Sequence, residues 1–358
     1  MTRSLLRGAL VGCVALAPGA SPSVLAQPQE QAAASELLPK HVTPKSAKAV
    51  ERGLAYLAKA QTADGNWVNS RDGAAYPISM AALAGMAFLA NGNTTSRGPY
   101  ADNVRRIVHY LLGNRQPSGI ITSAGQEQGR PMYGHGFSML FLASAYGMET
   151  DDKTRAAMKD AIDHAIDLTA RGQSPIGGWT YFPGGGDEGS VTVTQIQGLR
   201  AAQNAGFTVP KGTIEEAVRY LERCRQPGGG IEYSFGSGTG PQLAISAAAI
   251  ATLYNAGDYD SKLADECLNF VWKQFKQNKG EWNQFGHAFY ANLYAAEAFY
   301  QAGDEYWDDY FPRTRDKLVG MQAGDGSWNG DGIGPVYGTA VAAIILQLPY
   351  KFLPIYQR

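Results

Sequence analysis

Two nearly identical phrases at opposite ends of the chain constrain its fold more than any other feature. QTADGNW begins at Gln61 and QAGDGSW begins at Gln322. Each phrase follows an amphipathic helical pattern and precedes a Gly-rich connection and an almost wholly apolar helical pattern. A recurrence of this kind indicates an internal repeat, whose units must stack on one another to bury their apolar faces.

The same order of patterns recurs between the two phrases. A glutamine ends each amphipathic segment roughly every fifty residues, at Gln61, Gln116, Gln173, Gln226, Gln277 and Gln322. In the fourth unit Ile214, Val218 and Leu221 share one face of the first helix, so this helix should cover an exterior. The second helices are apolar around most of their circumference and rich in Ala, which suits helices buried on every side. The pattern predicts an all-α chain with six helical hairpins in residues 45–358.

Six alternating helix pairs can form either an open solenoid or a closed ring. An open array needs polar capping repeats at its ends, and the sixth unit is as apolar as the third. This comparison favours an α/α6 toroid, in which a ring of inner helices lies within a ring of outer helices. In such a ring the residues of the two phrases should have structural roles: Gln bonds to backbone groups at helix ends, Asp-Gly forms a tight turn and Trp packs between units. These residues are Gln61, Asp64, Gly65, Trp67, Gln322, Asp325, Gly326 and Trp328.

The two phrases resemble the QW motif, Gln-x-x-Asp-Gly-x-Trp, of terpenoid cyclases in the prenyltransferase and squalene oxidase repeat group. The resemblance covers about residues 47–350, with decayed copies such as QSPIGGW. It implies the α/α toroid fold. It implies much less about the chemistry, because one fold can host several functions.

The residues that carry the chemistry of this group are missing from the sequence. Class II cyclases protonate an alkene with the middle Asp of an Asp-x-Asp-Asp motif, which does not occur here. Those cyclases also have two barrels, and this chain has one. Prenyltransferases hold zinc with an Asp, a Cys two residues later and a distant His, and neither Cys224 nor Cys267 has that Asp. The inner helices lack a Lys and Arg cluster for a diphosphate. We therefore expect no metal and no cofactor.

The natural cleft of a toroid is its mouth, where loops enter the inner helices. His135 and His287 each follow a Gly just before an apolar helix, so both are expected to point into the funnel. With Asp187 or Glu188 as the acid partner, they are candidates for proton transfer. The alternative is that both histidines cap helices by bonding to loop carbonyls. A set of tyrosines either lines the mouth as a ligand site or belongs to the core: Tyr76, Tyr133, Tyr181, Tyr233 and Tyr337.

Charge and the N-terminus limit the partners and the compartment. Lys plus Arg is 31 and Asp plus Glu is 32, which disfavours a nucleic-acid partner. Arg3, Arg7 and the apolar run LVGCVALA are typical of a secretory signal (residues 1–26) cleaved near Ala26, with residues 27–44 as a flexible leader. The apolar run is too short to span a membrane. We expect an exported protein, periplasmic or extracellular.

Two functional hypotheses remain open at this point. The first is a binding protein that holds an apolar or polymeric ligand at the toroid mouth. The alternative is an enzyme that acts on an isoprenoid, in a cyclase-like or transferase-like reaction, or on a polysaccharide, with the His and acid residues of the mouth. The missing cyclase acid and the missing zinc ligands favour binding.

Overall fold

The computed structural model describes residues 38–123, 125–255, 261–278, 282 and 287–356. The α-helices are α1 (Pro44–Ala60), α2 (Arg71–Ala75), α3 (Pro77–Ala90), α4 (Ala101–Gly113), α5 (Pro131–Tyr146), α6 (Asp152–Arg171), α7 (Gly189–Asn204), α8 (Lys211–Arg223), α9 (Leu243–Asn255), α10 (Lys262–Gln277), α11 (Ala288–Ala302), α12 (Asp304–Met321) and α13 (Pro335–Gln347). Short 3₁₀ turns span Gln126–Gly129, Leu348–Tyr350 and Pro354–Tyr356. The described ranges contain isolated β-bridges but no β-strand.

Outer and inner helices alternate along the chain, as the sequence predicts. Every residue of the inner helix α3 is buried. The outer helix α1 buries Leu54 and Leu57 and leaves Glu51 and Arg52 exposed. The outer layer consists of α1, α4, α6, α8, α10 and α12, and the inner layer of α3, α5, α7, α9, α11 and α13.

Short-range signals start several of these helices. The Thr43 hydroxyl accepts the N–H of Ser46 at 3.1 Å, and the Ser46 hydroxyl accepts the N–H of Thr43 at 2.9 Å, which forms a capping box ahead of α1. Pro77, Pro131 and Pro335 occupy the first positions of α3, α5 and α13. Proline suits this position because its fixed φ is helical and a first-turn N–H has no partner within the helix.

The inner helices form a closed ring. Each inner helix packs against the next one along the chain, and α13 packs against both α11 and α3. In the outer layer α12 contacts α1. The predicted α/α toroid is therefore confirmed, because an open solenoid would leave α13 and α3 apart.

Glycine allows the closest contact between inner helices. A Cβ added at Gly198 of α7 would lie 2.9 Å from the carbonyl oxygen of Gly136 in α5. A methyl group at either position would push the two backbones apart. The apolar helices thus approach one another at their smallest residues.

The phrase QTADGNW, which begins at Gln61, joins its own unit to the next. The Gln61 side-chain amide donates to the carbonyl of Gly65 at 3.3 Å and to that of Asn103, in α4, at 3.1 Å. The Trp67 indole donates to the carbonyl of Leu57 at 3.0 Å. These bonds tie the turn after α1 to the last turn of α1 and to the first turn of α4. Asp64 is exposed in the turn.

The phrase QAGDGSW, which begins at Gln322, makes the equivalent contacts, but it joins the last unit to the first. The Gln322 amide donates to the carbonyl of Gly326 at 2.9 Å and to that of Ala49, in α1, at 2.8 Å. The Trp328 indole donates to the carbonyl of Leu318 at 2.7 Å. Asp325 bonds within its own turn, where it accepts the N–H and the hydroxyl of Ser327. The repeated bonding pattern thus closes the ring.

The chain after α13 closes the end of the ring opposite the mouth. Leu353 and Ile355 are buried, and the turn Pro354–Tyr356 packs against α7. The Gln301 amide, near the C-terminal end of α11, donates to the carbonyl of Ile355 at 3.4 Å. This segment therefore lies across the C-terminal ends of inner helices from different units.

The predicted signal peptide and its cleavage point near Ala26 lie outside the described residues. The compact toroid unit begins at Pro39, several residues before the predicted domain boundary at 45. Lys40 and His41 both contact Asp308 of α12, at 2.8 and 2.7 Å. The last residues of the predicted leader are thus held against the outer layer.

Candidate functional site

The N-termini of the inner helices form the mouth, and the loop of the following unit caps them. Asp72 precedes α3, but its Oδ2 accepts the N–H of Tyr337 in α13 at 2.9 Å. Glu127 precedes α5, but its two carboxylate oxygens accept the N–H groups of Ile78 and Ser79 in α3, each at 2.9 Å. Neighbouring units therefore interlock at the mouth.

Acceptors from the following unit also cap other inner helices. Asp331 precedes α13, and its two oxygens accept the N–H groups of Phe289 and Tyr290 in α11, each at 3.0 Å. At α5 and α7 the acceptors are the backbone carbonyls of Tyr181 and Tyr233. The positive ends of these helices are thus already occupied by oxygen atoms of the protein itself.

A hydrogen-bonded cluster lies at the rim of the mouth. Glu188 caps α7 by accepting the N–H of Val191 at 2.8 Å, and it also accepts the hydroxyl of Ser190. The Ser190 hydroxyl bonds in turn to the hydroxyl of Tyr133 in α5. Burial raises the pKa of the Glu188 carboxyl, although the hydrogen bonds to Ser190 and Val191 oppose the shift.

Two aromatic loops border this cluster. The Tyr181 and Tyr233 hydroxyls lie 2.7 Å apart and join the loops of neighbouring units. The Arg130 guanidinium lies over the Tyr181 ring, 4.7 Å from its centroid. The next aromatic residues along these loops, Phe182 and Phe235, are exposed. The rim cluster is thus defined by Arg130, Tyr133, Tyr181, Glu188, Ser190 and Tyr233.

Below the rim, tyrosines from different units approach the axis of the ring. The rings of Tyr290 and Tyr294 in α11 lie 4.9 Å apart at an interplanar angle of 68°. Tyr337 of α13 donates its hydroxyl to Asp331 at 3.3 Å. Tyr133 is close enough to act electrostatically on all three. We call Tyr133, Tyr290, Tyr294 and Tyr337 the tyrosine chamber.

Two hydroxyls of the chamber, those of Tyr290 and Tyr294, have no hydrogen-bond partner outside the pair in the described part of the chain. Both are buried. Burial raises the pKa of both phenols, although an interaction with Tyr290 opposes the rise at Tyr294. Both phenols are therefore neutral and able to donate and to accept. Buried polar groups in native proteins are nearly always hydrogen-bonded to protein, water or ligand. The chamber therefore contains unused bonding capacity.

A polar pair closes the chamber at mid-height. The Gln197 amide of α7 donates to the Glu297 carboxylate of α11 at 3.0 Å. These helices belong to the third and fifth units, with α9 between them in the ring. A bond that spans them must cross the interior, so the pair forms a floor between the mouth and the opposite end.

His135 does not point into the funnel, contrary to the expectation from sequence. It is fully buried, with Nδ1 accepting the N–H of Ile121 at 3.2 Å and Nε2 lying 3.0 Å from the Thr169 hydroxyl of the outer helix α6. Burial lowers its pKa to about 4. The imidazole of this inner helix thus bonds to a mouth loop through Ile121 and lies against the outer layer at Thr169.

The same position in other units has a hydroxyl residue that accepts an equivalent N–H. Thr192 accepts the N–H of Trp179 at 2.9 Å, and Thr339 accepts that of Trp328 at 3.0 Å. His135 therefore fills a recurrent structural position of the repeat.

The remaining predicted catalytic residues do not converge. His287 is exposed at the N-cap of α11, in a left-handed conformation with φ of 54°. Glu188 has extended backbone, and successive side chains of an extended segment point to opposite sides. Asp187 accordingly lies against Gly178 and Tyr220, on the side away from the Glu188 bonds.

Most of the predicted tyrosines do come together. Tyr133, Tyr181 and Tyr233 meet Glu188 in the rim cluster, and Tyr337 lies in the chamber. Tyr76 is half-buried at the N-cap of α3. A further set of site residues was not predicted from the sequence: Arg130, Ser190, Gln197, Tyr290, Tyr294, Glu297 and Asp331. The tyrosine pair in FYANLY, four residues apart on an inner helix, was the signal available for two of them.

The cysteines and acids of the described ranges offer little metal chemistry. No group of three or more His, Cys, Asp or Glu in those ranges is arranged to hold a metal ion. Cys224 and Cys267 are buried and free, and burial raises the pKa of each thiol to about 12.

No described helix is both long and apolar enough to cross a membrane.

Solved structures share this architecture at low sequence identity. No protein-family model and no curated protein matches the chain. The type II terpene cyclase MstE from Scytonema, in complex with geranylgeranyl dihydroxybenzoate, aligns with a TM-score of 0.58 and 13% identity, over 86% of this chain and 98% of that chain. A GH76 α-mannanase from Bacteroides thetaiotaomicron aligns with a TM-score of 0.60 and 12% identity, over 86% and 96%. A protein from Actinoplanes aligns with a TM-score of 0.58 and 17% identity, over 86% and 99%.

These likenesses establish the fold alone, because the identities are low. They also remove one argument made from the sequence. This single toroid matches nearly the whole chain of a terpene cyclase. The presence of one barrel is therefore no reason to exclude a cyclase-like function.

Proposed function

We propose that the protein binds an apolar ligand with a polar end, and that the polar end enters the tyrosine chamber from the mouth. One observation carries this proposal: the Tyr290 and Tyr294 hydroxyls are buried within the ring without a hydrogen-bond partner outside the pair in the described residues. A buried hydroxyl without a partner costs about 1–3 kcal/mol. A ligand atom that bonds to both would recover that free energy.

A ligand with a short polar end and its body at the rim would suit the positions of these groups. The Gln197–Glu297 pair limits the depth of the chamber. The body of the ligand would lie on the aromatic rim, where Tyr133 and Tyr181 have ring centroids 6.0 Å apart. Phe182 and Phe235 extend this apolar surface outward. Aromatic rings supply large contact areas to apolar or CH-rich ligands.

The test begins with mass spectrometry of lipids and metabolites that co-purify with the native protein. The recovered compound is then titrated against the wild type, the Tyr290→Phe/Tyr294→Phe double variant and Tyr310→Phe. Tyr310 is a matched control, because it is buried but donates to Asn292 outside the chamber. We expect the double variant to lose at least tenfold in affinity and the control to lose little. Equal affinity in all three proteins would contradict the proposal.

Glu188 supports a second candidate function, acid-catalysed chemistry on an isoprenoid. Its carboxyl is buried, its pKa is raised, and it is bonded through Ser190 to Tyr133. The protonated form of a carboxylic acid is the one that gives a proton to an alkene, and a raised pKa makes this form easier to reach. By contrast, Asp187 and Glu188 diverge, so they do not form the carboxylate pair that polysaccharide hydrolysis normally uses.

The enzymatic candidate is tested by incubation with all-trans-geranylgeraniol in deuterated buffer. Gas chromatography–mass spectrometry would detect a cyclised product that carries deuterium, and Glu188→Gln should abolish it. Unchanged substrate with the wild type would sink this candidate and leave the binding proposal intact.

We propose in addition that the protein acts after export, on the basis of the charged and apolar pattern of its first residues. Mass spectrometry of the mature N-terminus should find a chain that begins near Gln27.

A further inference from the structure

The charge of the mouth indicates which polar ends the chamber accepts. Helix N-termini attract anions, and the inner helices begin at the mouth. Protein carboxylates already occupy four of these ends. Asp72 caps α13, Glu127 caps α3, Glu188 caps α7 and Asp331 caps α11. An anionic ligand would therefore meet carboxylates rather than free N–H groups.

The inner helices supply almost no positive charge to oppose these carboxylates. Their only basic side chains are His135 and Arg200. His135 faces the outer layer, and burial lowers its pKa to about 4, so it is neutral at neutral pH. Arg200 lies one turn beyond Gln197 towards the C-terminal end of α7 and donates to Gln203 at 2.6 Å. In the described residues the inner-helix walls above the floor thus carry no basic group. The basic residue of the rim cluster, Arg130, is exposed and stacks on Tyr181, although it also acts electrostatically on Tyr133.

The chamber surface also suits a cation. The faces of aromatic rings carry partial negative charge and attract ammonium groups within about 6 Å of the centroid. Tyr290 and Tyr294 form adjacent walls, 4.9 Å apart and steeply inclined to each other. Asp331 touches both the backbone of Tyr290 and the hydroxyl of Tyr337. Glu188 acts electrostatically on Tyr290 from the rim.

We propose that the polar end of the ligand is an organic ammonium cation and that ligands ending in sulfate or diphosphate are rejected. This assignment rests on the proposed function, since it specifies the chemistry of the ligand that the same chamber binds. A protonated amine would donate to the hydroxyl oxygens of Tyr290 and Tyr294 and lie against the faces of their rings.

Three amphiphiles with one octyl chain and different heads separate charge from apolar binding: octylammonium, 1-octanol and octyl sulfate. Isothermal titration calorimetry at neutral pH measures each below its aggregation concentration. We expect the ammonium to bind at least tenfold more tightly than octanol, and octyl sulfate to bind more weakly than octanol.

Two isosteric variants test whether the carboxylates of Glu188 and Asp331 cause the preference for the ammonium. Glu188→Gln and Asp331→Asn each remove a charge and keep a cap acceptor, so the ammonium should lose at least fivefold in affinity and octanol little. Glu149→Gln is the matched control. Its carboxylate is also buried, but it accepts the N–H groups of Thr150 and Asp151 in the loop after α5, at the opposite end from the mouth.

The outcomes separate the two proposals. Equal binding of all three amphiphiles, with loss in Tyr290→Phe/Tyr294→Phe, would overturn the cation assignment and retain the chamber as a binding site. Tighter binding of octyl sulfate, or an ammonium preference unchanged in Glu188→Gln and Asp331→Asn, would also overturn the assignment. Binding of none of the three would count against both proposals.

Discussion

The side-chain amide of Gln322 donates to the carbonyl of Ala49, 273 residues earlier in the chain, at 2.8 Å. The equivalent bond of Gln61 joins the first unit to the second. One side-chain position therefore performs the same task between consecutive units and between the last unit and the first. Ring closure uses the bonding pattern of the repeat itself.

Gln322→Ala should destabilise the closed ring. The substitution removes the hydrogen bonds to the carbonyls of Ala49 and Gly326, which together should stabilise the fold by about 1–3 kcal/mol. Urea denaturation followed by circular dichroism measures this change, and Gln61→Ala is the comparison at an internal junction. A loss for Gln61→Ala but none for Gln322→Ala would contradict closure through this bond.

Gly326→Ala should be still more harmful. Gly326 has φ of +94°, and an added Cβ would lie 2.6 Å from the carbonyl oxygen of Arg52 in α1. Strained backbone alone costs about 1–3 kcal/mol. Gly324→Ala, two residues away, meets nothing within 4 Å and should change the free energy of unfolding little. Equal effects of the two substitutions would argue against the contact with α1.

Tyr294→Phe should stabilise the ligand-free protein. Its hydroxyl is buried without a partner other than Tyr290 in the described chain, so its removal should raise the free energy of unfolding by about 1 kcal/mol. Tyr310→Phe should do the opposite, because that hydroxyl donates to Asn292. Thermal unfolding of protein stripped of ligand compares them, and a loss of stability in Tyr294→Phe would indicate that its hydroxyl is already bonded.

His135 should make the fold sensitive to mild acid. Its pKa is about 4 in the folded protein, below the ordinary value of 6.5, so the unfolded chain takes up the proton first as the pH falls. Stability is full above pH 6.5 and is lost as the pH falls towards 4, by about 3 kcal/mol in total.

The variant His135→Asn isolates this effect, since Asn retains an acceptor and does not titrate. Urea denaturation at several pH values should show a shallower loss of stability between pH 6.5 and 4 in the variant. Parallel curves for the two proteins would refute the assignment of this loss to His135.

The sequence predicted the toroid because its evidence is local and repeated. Helical periodicity, the Gln position and the apolar second helices recur in each unit, a Trp follows the Gln in most of them, and each copy supports the others. Site residues were harder to predict for a physical reason. An inner helix such as α11 is buried on nearly all sides, so its pattern does not reveal which residues face the axis and which face another helix.

Individual residues show where this ambiguity acts. His135 and Tyr133 lie two residues apart on α5, yet one faces the outer layer and the other the chamber. Alignment of the repeats would have matched His135 with Thr192 and Thr339. The Gln197–Glu297 bond joins residues 100 positions apart, and no local pattern encodes it.

The most direct test of the binding site is a high-resolution crystal structure of the protein purified from its native source. The account predicts density for a bound molecule in the tyrosine chamber, with an atom within hydrogen-bond distance of the Tyr290 and Tyr294 hydroxyls. A chamber in which ordered water alone bonds to those two hydroxyls would contradict it.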